Sequence, residues 1–164
     1  MATPPTPNYG WPFPTSSSTV DVPRDIAALA GAIDTSLKAI DVRATDSGNK
    51  DVVACALQSG FGSPYFSGRR FGPLCVLHWQ ATRTGAAIAA VASGNITDVN
   101  VFQITEPTML VKYNCGHGFG NLGGGPGRCN LNASNNMLVL TNYSPGVAIN
   151  TSDILFGTLV YIGT

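Results

Sequence analysis

Residues 153–162, DILFGTLVYI, carry apolar side chains on both faces that a strand would present. Ile154, Phe156, Val160 and Ile162 would point one way, and Leu155, Leu159 and Tyr161 the other, because successive side chains of a strand alternate. MLVLTNY, residues 137–143, repeats the pattern with Met137 and Val139 set against Leu138 and Leu140. An antiparallel strand that is apolar on both faces has to be covered on both. One sandwich of this size has a single core, so the second cover is expected from another subunit. DVVACALQ, PLCVLHWQA, ITDVNVFQIT and TMLVKYN are also short and rich in β-branched and aromatic residues, with Gly, Pro, Asn and Ser in the gaps. GAAIAAVASG is ambiguous by propensity; its length and flanking glycines read as a strand. The expected fold over residues 51–164 is mainly β, a jelly-roll-like β-sandwich of seven or eight strands.

Ahead of it lie two segments of different character. Residues 1–20 read as an extended anchoring arm. Pro4, Pro5, Pro7, Pro12 and Pro14 hold it in extended or polyproline backbone, and Tyr9, Trp11 and Phe13 are anchors for pockets on a partner. Residues 21–41 read as one short helix, with Asp21 as N-cap, Pro23 in the first turn and Asp25 at the positive end of the dipole. Val22, Ile26, Leu29, Ile33 and Ile40 follow a heptad; Ser36 interrupts it and Leu37 stands beside the gap. Such a short run does not form a free-standing coiled coil. It packs either on its own domain or on copies of itself. The second is the expectation, since the β region also reads as oligomeric, with Val22, Ile26, Leu29, Ile33, Leu37 and Ile40 as the interface.

Composition narrows the partners. Lys plus Arg equals Asp plus Glu at nine each, which leaves no electrostatic footprint for nucleic acid or an anionic membrane. Only 11% of residues are charged while 44% are hydrophobic, which suits a surface that faces other protein. No apolar stretch is long enough to span a bilayer, and MATPPTPNYG has neither a basic nor an apolar signal region. Synthesis in a cytoplasm with reduced thiols is therefore the expectation. The N-x-Ser/Thr matches at Asn95, Asn132, Asn142 and Asn150 read as Asn-rich turns.

CGHGFGNLGGGPGRC, residues 115–129, contains a formal G-x-G-x-x-G at Gly118, Gly120 and Gly123. A dinucleotide site needs a helix N-terminus after those glycines, and here more glycines and Pro126 follow instead. The segment reads as an exposed surface loop of the kind that serves as a contact surface. Cys115 and Cys129 bracket it, and two readings stay open: free thiols, or a disulfide formed at an oxidising exterior. Cys75, His78, Cys115, His117 and Cys129 lack the C-x-x-C spacing of a zinc site, so no metal and no cofactor is expected. Cys55 and Cys75 read as buried thiols in apolar strands, and His78 as a satisfied, partly buried histidine beside Trp79. Catalytic groups are scarce. Glu106 is the only glutamate, and there is neither a G-x-S-x-G elbow nor a nominable pair of carboxylates. Arg69 and Arg70 read as a solvated loop pair.

The stretch PNYGWPFPTSSSTVDVPRDIAALAGAIDTSLKAID resembles the N-terminal module of small virion structural proteins of tailed phages that infect actinobacteria, of the minor-tail, tail-fibre or head-fibre type. Arm, cap and helix occur there together and in this order, ahead of a β-rich domain. The resemblance covers only this part of the chain; residues 51–164 show no family motif. It implies a non-enzymatic, trimeric virion component, made in the host bacterial cytoplasm. Its partners would be itself, through the helix, and another virion protein of capsid or tail, through the arm. The β knob would project outward for host attachment, with a host-surface glycan or receptor as ligand, or with a purely stabilising role in capsid decoration.

Overall fold

A computed structural model describes residues 22–44, 46–89 and 92–164, with helix side chains described from Arg24 to Ile40. The arm anchors Tyr9, Trp11 and Phe13, the cap Asp21, and the side chain of Val22 lie outside the described residues. Two units are formed, the helix segment before residue 46 and a β unit from Asp46 to Thr164.

The helix α1 runs Val22–Ala44, three residues beyond its expected end. Along it Ile26, Leu37 and Ile40 are 62%, 59% and 58% exposed, Leu29 is exposed and Ile33 half-buried. The Thr35 hydroxyl donates to the Gly31 carbonyl one turn back, at 2.8 Å.

The β unit is antiparallel and mainly β, as its residue pattern leads one to expect. Its eight strands are β1 (Cys55–Leu57), β2 (Phe61–Phe71), β3 (Leu74–Arg83), β4 (Asn95–Ile104), β5 (Cys115–Asn121), β6 (Gly127–Asn132), β7 (Met137–Asn142) and β8 (Ile154–Ile162). They form one nearly closed, barrel-like sheet in the order β1-β4-β7-β6-β5-β8-β3-β2. β5 joins its two halves. Cys115–Phe119 pair with β6, and Gly120 and Asn121 pair with Phe156 and Leu155 of β8. Sandwiches turn corners with strands that switch sheets in this way.

The interior follows from alternation. Cys75, Leu77, Trp79 and Ala81 of β3, Leu155, Leu159 and Tyr161 of β8, and Leu138 and Leu140 of β7 are all buried. Phe102 of β4 sits between the halves, its ring 4.7 Å from Phe66 and 5.6 Å from Trp79. Tyr161 buries its hydroxyl but donates it to the Met109 carbonyl at 2.7 Å, which satisfies the group.

Several sequence expectations are corrected. TMLVKYN is not a strand: Pro107–Met109 form a single 3₁₀ turn, with Pro107 at the position where its missing N–H costs nothing, and only Val111 bridges, to Gly163. DVVACALQ yields a strand only at Cys55–Leu57. Among the described residues of GAAIAAVASG, only Ile88 makes a bridge, to Ile149. Arg69 and Arg70, expected in a loop, lie on β2, whose register slips between Gly62 and Tyr65. Pro64 is accommodated in that bulge, where a missing donor is tolerated. β2 closes on β3 through a two-residue turn in which Gly72 takes φ +54° ahead of Pro73, as a type II′ hairpin requires. Asn95, Asn132 and Asn142 stand at strand ends rather than in turns.

The largest correction concerns residues 115–129, which are a hairpin and not a loop. Only Leu122–Pro126 remain outside the strands. Three of the strand glycines in and beside this hairpin, Gly120, Gly127 and Gly157, each face an aromatic in register. A Cβ on Gly127 would stand 2.2 Å from Cζ of its partner Phe119, one on Gly120 would stand 2.8 Å from Cζ of Phe156, and one on Gly157 would stand 2.9 Å from Nε1 of Trp79. The ring occupies the space that a side chain would have filled, which recovers the packing glycine lacks. The tip is held as well: the Tyr143 hydroxyl accepts from the Gly125 N–H at 2.8 Å and from Asn121 Nδ2 at 2.9 Å.

β7 is also corrected in part. Met137 and Val139 are buried within the chain itself, as are Leu138 and Leu140, so this strand needs no second subunit to cover it. β8 does keep an uncovered apolar face.

Candidate functional site

Three features of the surface stand out. The first is the helix stripe. Of the expected interface residues, Ile26, Leu29, Leu37 and Ile40 are exposed, and Ile33 shares their face by the heptad spacing. Burying apolar surface of this kind contributes roughly 25 cal/mol per Å², so an exposed stripe is a standing drive to associate.

The second is the outer face of β2, β3 and β8. Register places Phe71, Leu74 and Ile162 in one row across the three strands, Arg69, Val76 and Val160 in the next, and Ser67, His78 and Thr158 in a third. Phe71 is 56% exposed and Val160 51%. The expectation that Arg69 and Arg70 form a solvated loop pair does not hold. Arg69 lies on β2 and binds the Asp46 carboxylate through Nε and Nη2, which holds Asp46 below the usual carboxylate range. Arg70 binds the backbone carbonyls of Gly72, Thr108 and Thr164, at 2.6, 2.6 and 2.7 Å. His78 has a hydrogen-bonding partner as expected, its Nδ1 lying 2.9 Å from the Thr158 hydroxyl, but it is exposed on the outer face rather than partly buried.

The third is a shallow trough of about 540 Å³ at the other end of the same outer face. Gly118, Gly120 and Gly157 leave its floor low, Phe156 and Tyr65 flank it, and Trp79 lines it. The indole Nε1 of Trp79 is buried and has no hydrogen-bond partner among the described residues. Sequence reasoning found the segment but missed the trough. G-x-G-x-G on a strand sets all its glycines on one face, and that signal was readable once residues 115–121 were taken as a strand.

The cysteines do not converge on a metal or a nucleophile. Cys75 faces the core while His78 faces out, so the C-x-x-H pair is divided by the pleat. His117 Nε2 lies 3.2 Å from Cys115 Sγ, yet burial raises the Cys115 thiol and lowers the His117 imidazolium. Both shifts favour the neutral forms, opposite to the thiolate–imidazolium pair that cysteine catalysis needs. Cys55 and Cys129 are pushed up to about 12, chiefly by burial, and stay protonated at any ordinary pH. Cys115 and Cys129 are free thiols. Cys115 is opposite Leu131 and Cys129 opposite His117, a diagonal offset. Diagonal neighbours stand about 7–8 Å apart, at the limit of disulfide geometry, which favours the free-thiol reading of the two that the sequence left open.

No protein-family model and no curated protein matches this chain.

Proposed function

We propose that this chain is a non-enzymatic structural protein of a phage virion, a homotrimer mounted on the particle by its N-terminal arm and helix and displaying the β unit. The observation that carries this reading is the helix stripe: Ile26, Leu37 and Ile40 are more than half exposed in the single chain. An apolar helix face is stabilised by being covered, and Ile26, Ile33 and Ile40 at successive a positions make it a seam for copies of the same helix; the number three is what the resemblance to virion modules implies. The resemblance of residues 7–41 to virion modules supports the setting. The arm's Tyr9, Trp11 and Phe13 would dock on a capsid or tail protein, with three arms adding avidity. No cofactor takes part.

Light scattering on the purified full chain is expected to give three times the chain mass of 17.0 kDa. Ile33→Asp, which places a charge in the middle of the stripe, is expected to lower that mass to a single chain while the far-UV spectrum keeps its β signature. A wild-type chain that stays single at high micromolar concentration would overturn the trimer.

The trough supports a second reading, a glycan-binding module for the host surface. Aromatic flanks at Tyr65 and Phe156, with His78 and Thr158 at the rim, suit the apolar faces and hydroxyls of a sugar. In this case Tyr65→Ala, at a residue 55% exposed, is expected to reduce retention on bacterial cell-wall glycan about tenfold, with the far-UV spectrum of the folded chain kept. Equal retention of the two proteins would remove the trough from consideration.

A further inference from the structure

We infer that the outer face of β2, β3 and β8, at its Phe71–Leu74–Ile162 end, is the surface on which β units of neighbouring copies of this chain pack against one another. The inference rests on the homotrimer reading and says which face of the β unit turns inward.

Four observations converge on a second copy as the occupant. First, β8 is apolar on both sides at this end: Leu159 and Tyr161 are buried, and Val160 and Ile162 are exposed, with Thr158 the polar residue that bounds them on the outer side. A strand that needed only one cover would carry polar residues on its outer side. Second, the register continues the apolar surface sideways, so that Phe71, Leu74 and Ile162 abut, and Val76 and Val160 abut beside them. Third, the patch is neutral. Arg69 is the one charged side chain on these two rows, and it is already committed to Asp46. Depletion of free charge with enrichment of apolar and aromatic groups is the character of an obligate interface core, and it offers a charged partner nothing to recognise.

The fourth observation is covalent. Asp46 bridges Phe71, and the Ser47 N–H donates to the Arg70 carbonyl at 2.8 Å, so the β unit begins beside the Phe71 row. The helix ends at Ala44, with one residue between. Two Cα steps span at most about 7 Å, whatever direction the helix takes. Copies that associate through the stripe of α1 are therefore delivered to one another with this row nearest the point of tethering, at an effective concentration in the millimolar range. Pairing is face to face rather than edge to edge, because the strand edge beside this row is already taken: Lys50 and Gly68 exchange both backbone hydrogen bonds, at 2.7 and 2.9 Å. The polar row of Ser67, His78 and Thr158 ends the patch and leaves the glycine trough outside it.

The test uses the full chain with Val160→Glu and, separately, Val160→Cys. Val160 is 51% exposed, so neither change disturbs the packing of a lone β unit. A buried unpaired carboxylate at each of three equivalent positions is expected to raise the concentration at which the assembly dissociates by at least about tenfold. The cysteine variant is expected to give an intersubunit disulfide under mild oxidation, seen as a dimer on a non-reducing gel. A Val160→Glu chain that dissociates at the wild-type concentration, or a Val160→Cys chain that stays uncrosslinked while assembled, overturns this inference and leaves the helix-mediated trimer standing. Should Val160→Glu precipitate, the crosslink decides alone. A wild type that is single at every concentration overturns both, and Ile33→Asp separates the cases because it acts only on the stripe.

Discussion

Replacing Phe102 by alanine is expected to destabilise the β unit by about 3–5 kcal/mol, the usual cost of emptying a large aromatic site in a packed core. Phe102 is fully buried and touches both halves of the sheet, through Phe66 on β2 and Trp79 on β3, while its own strand β4 pairs with β1 and β7. Removing the ring opens a void where β2, β3 and β4 meet, and those strands are tied into a nearly closed sheet that cannot collapse to fill it. Against a total of about 5–15 kcal/mol for a domain of this kind, the variant would stand close to the unfolding threshold. Urea unfolding at one fixed protein concentration measures the effect, as a lower midpoint with an unchanged slope. A loss below about 1 kcal/mol would mean that the halves are held together elsewhere.

Gly127→Ala is expected to cost more than a methyl group ordinarily does, about 1–3 kcal/mol from overpacking. The new Cβ would meet Phe119 Cζ at 2.2 Å on one side and the Asn142 carbonyl oxygen at 2.7 Å on the other. Neither neighbour yields easily. The Asn142 oxygen is backbone, and the Phe119 ring is stacked on Tyr143 at 5.9 Å with only 10° between the planes. Tyr143 in turn is fixed by Asn121 and Gly125, and Asn121 also donates to Asp153 at 2.8 Å. Gly123→Ala is the control. Nothing lies within 4 Å of its Cβ position, so its effect should stay within about 0.5 kcal/mol. Equal melting temperatures for the two variants would show that Phe119 has another place to go, and that the aromatic-over-glycine pairing does not shape this hairpin.

The same pairing explains why the hairpin was invisible in the sequence. A strand normally announces itself through its own β-branched and aromatic side chains. In CGHGFGN the packing groups belong partly to other strands: Phe156 of β8 covers Gly120. That partner lies far along the chain, beyond the reach of any local window. β2 was hidden for a related reason, since Ser63, Pro64 and Gly68 look like turn residues until a neighbouring strand supplies register and a bulge takes up the proline. TMLVKYN failed in the opposite sense. It has strand composition, but Met109 is buried as the last residue of a 3₁₀ turn and Val111 is buried just after it, and burial took precedence over propensity.

What the sequence determined by itself was whatever depends on short periods. The heptad in residues 22–40 specified the helix and its stripe, and the alternation in residues 153–162 specified β8 with two apolar faces, one buried and one exposed. The mainly β class followed from the same alternation. Tertiary structure alone decided the order of the strands, the fate of the glycines, the self-coverage of β7 and the meeting of Phe71, Leu74 and Ile162 in one row. The physical reason is range. Periodicity is written by residues two to four apart, whereas register, sheet switching and the filling of a glycine's empty space are settled between strands that only the folded chain brings together.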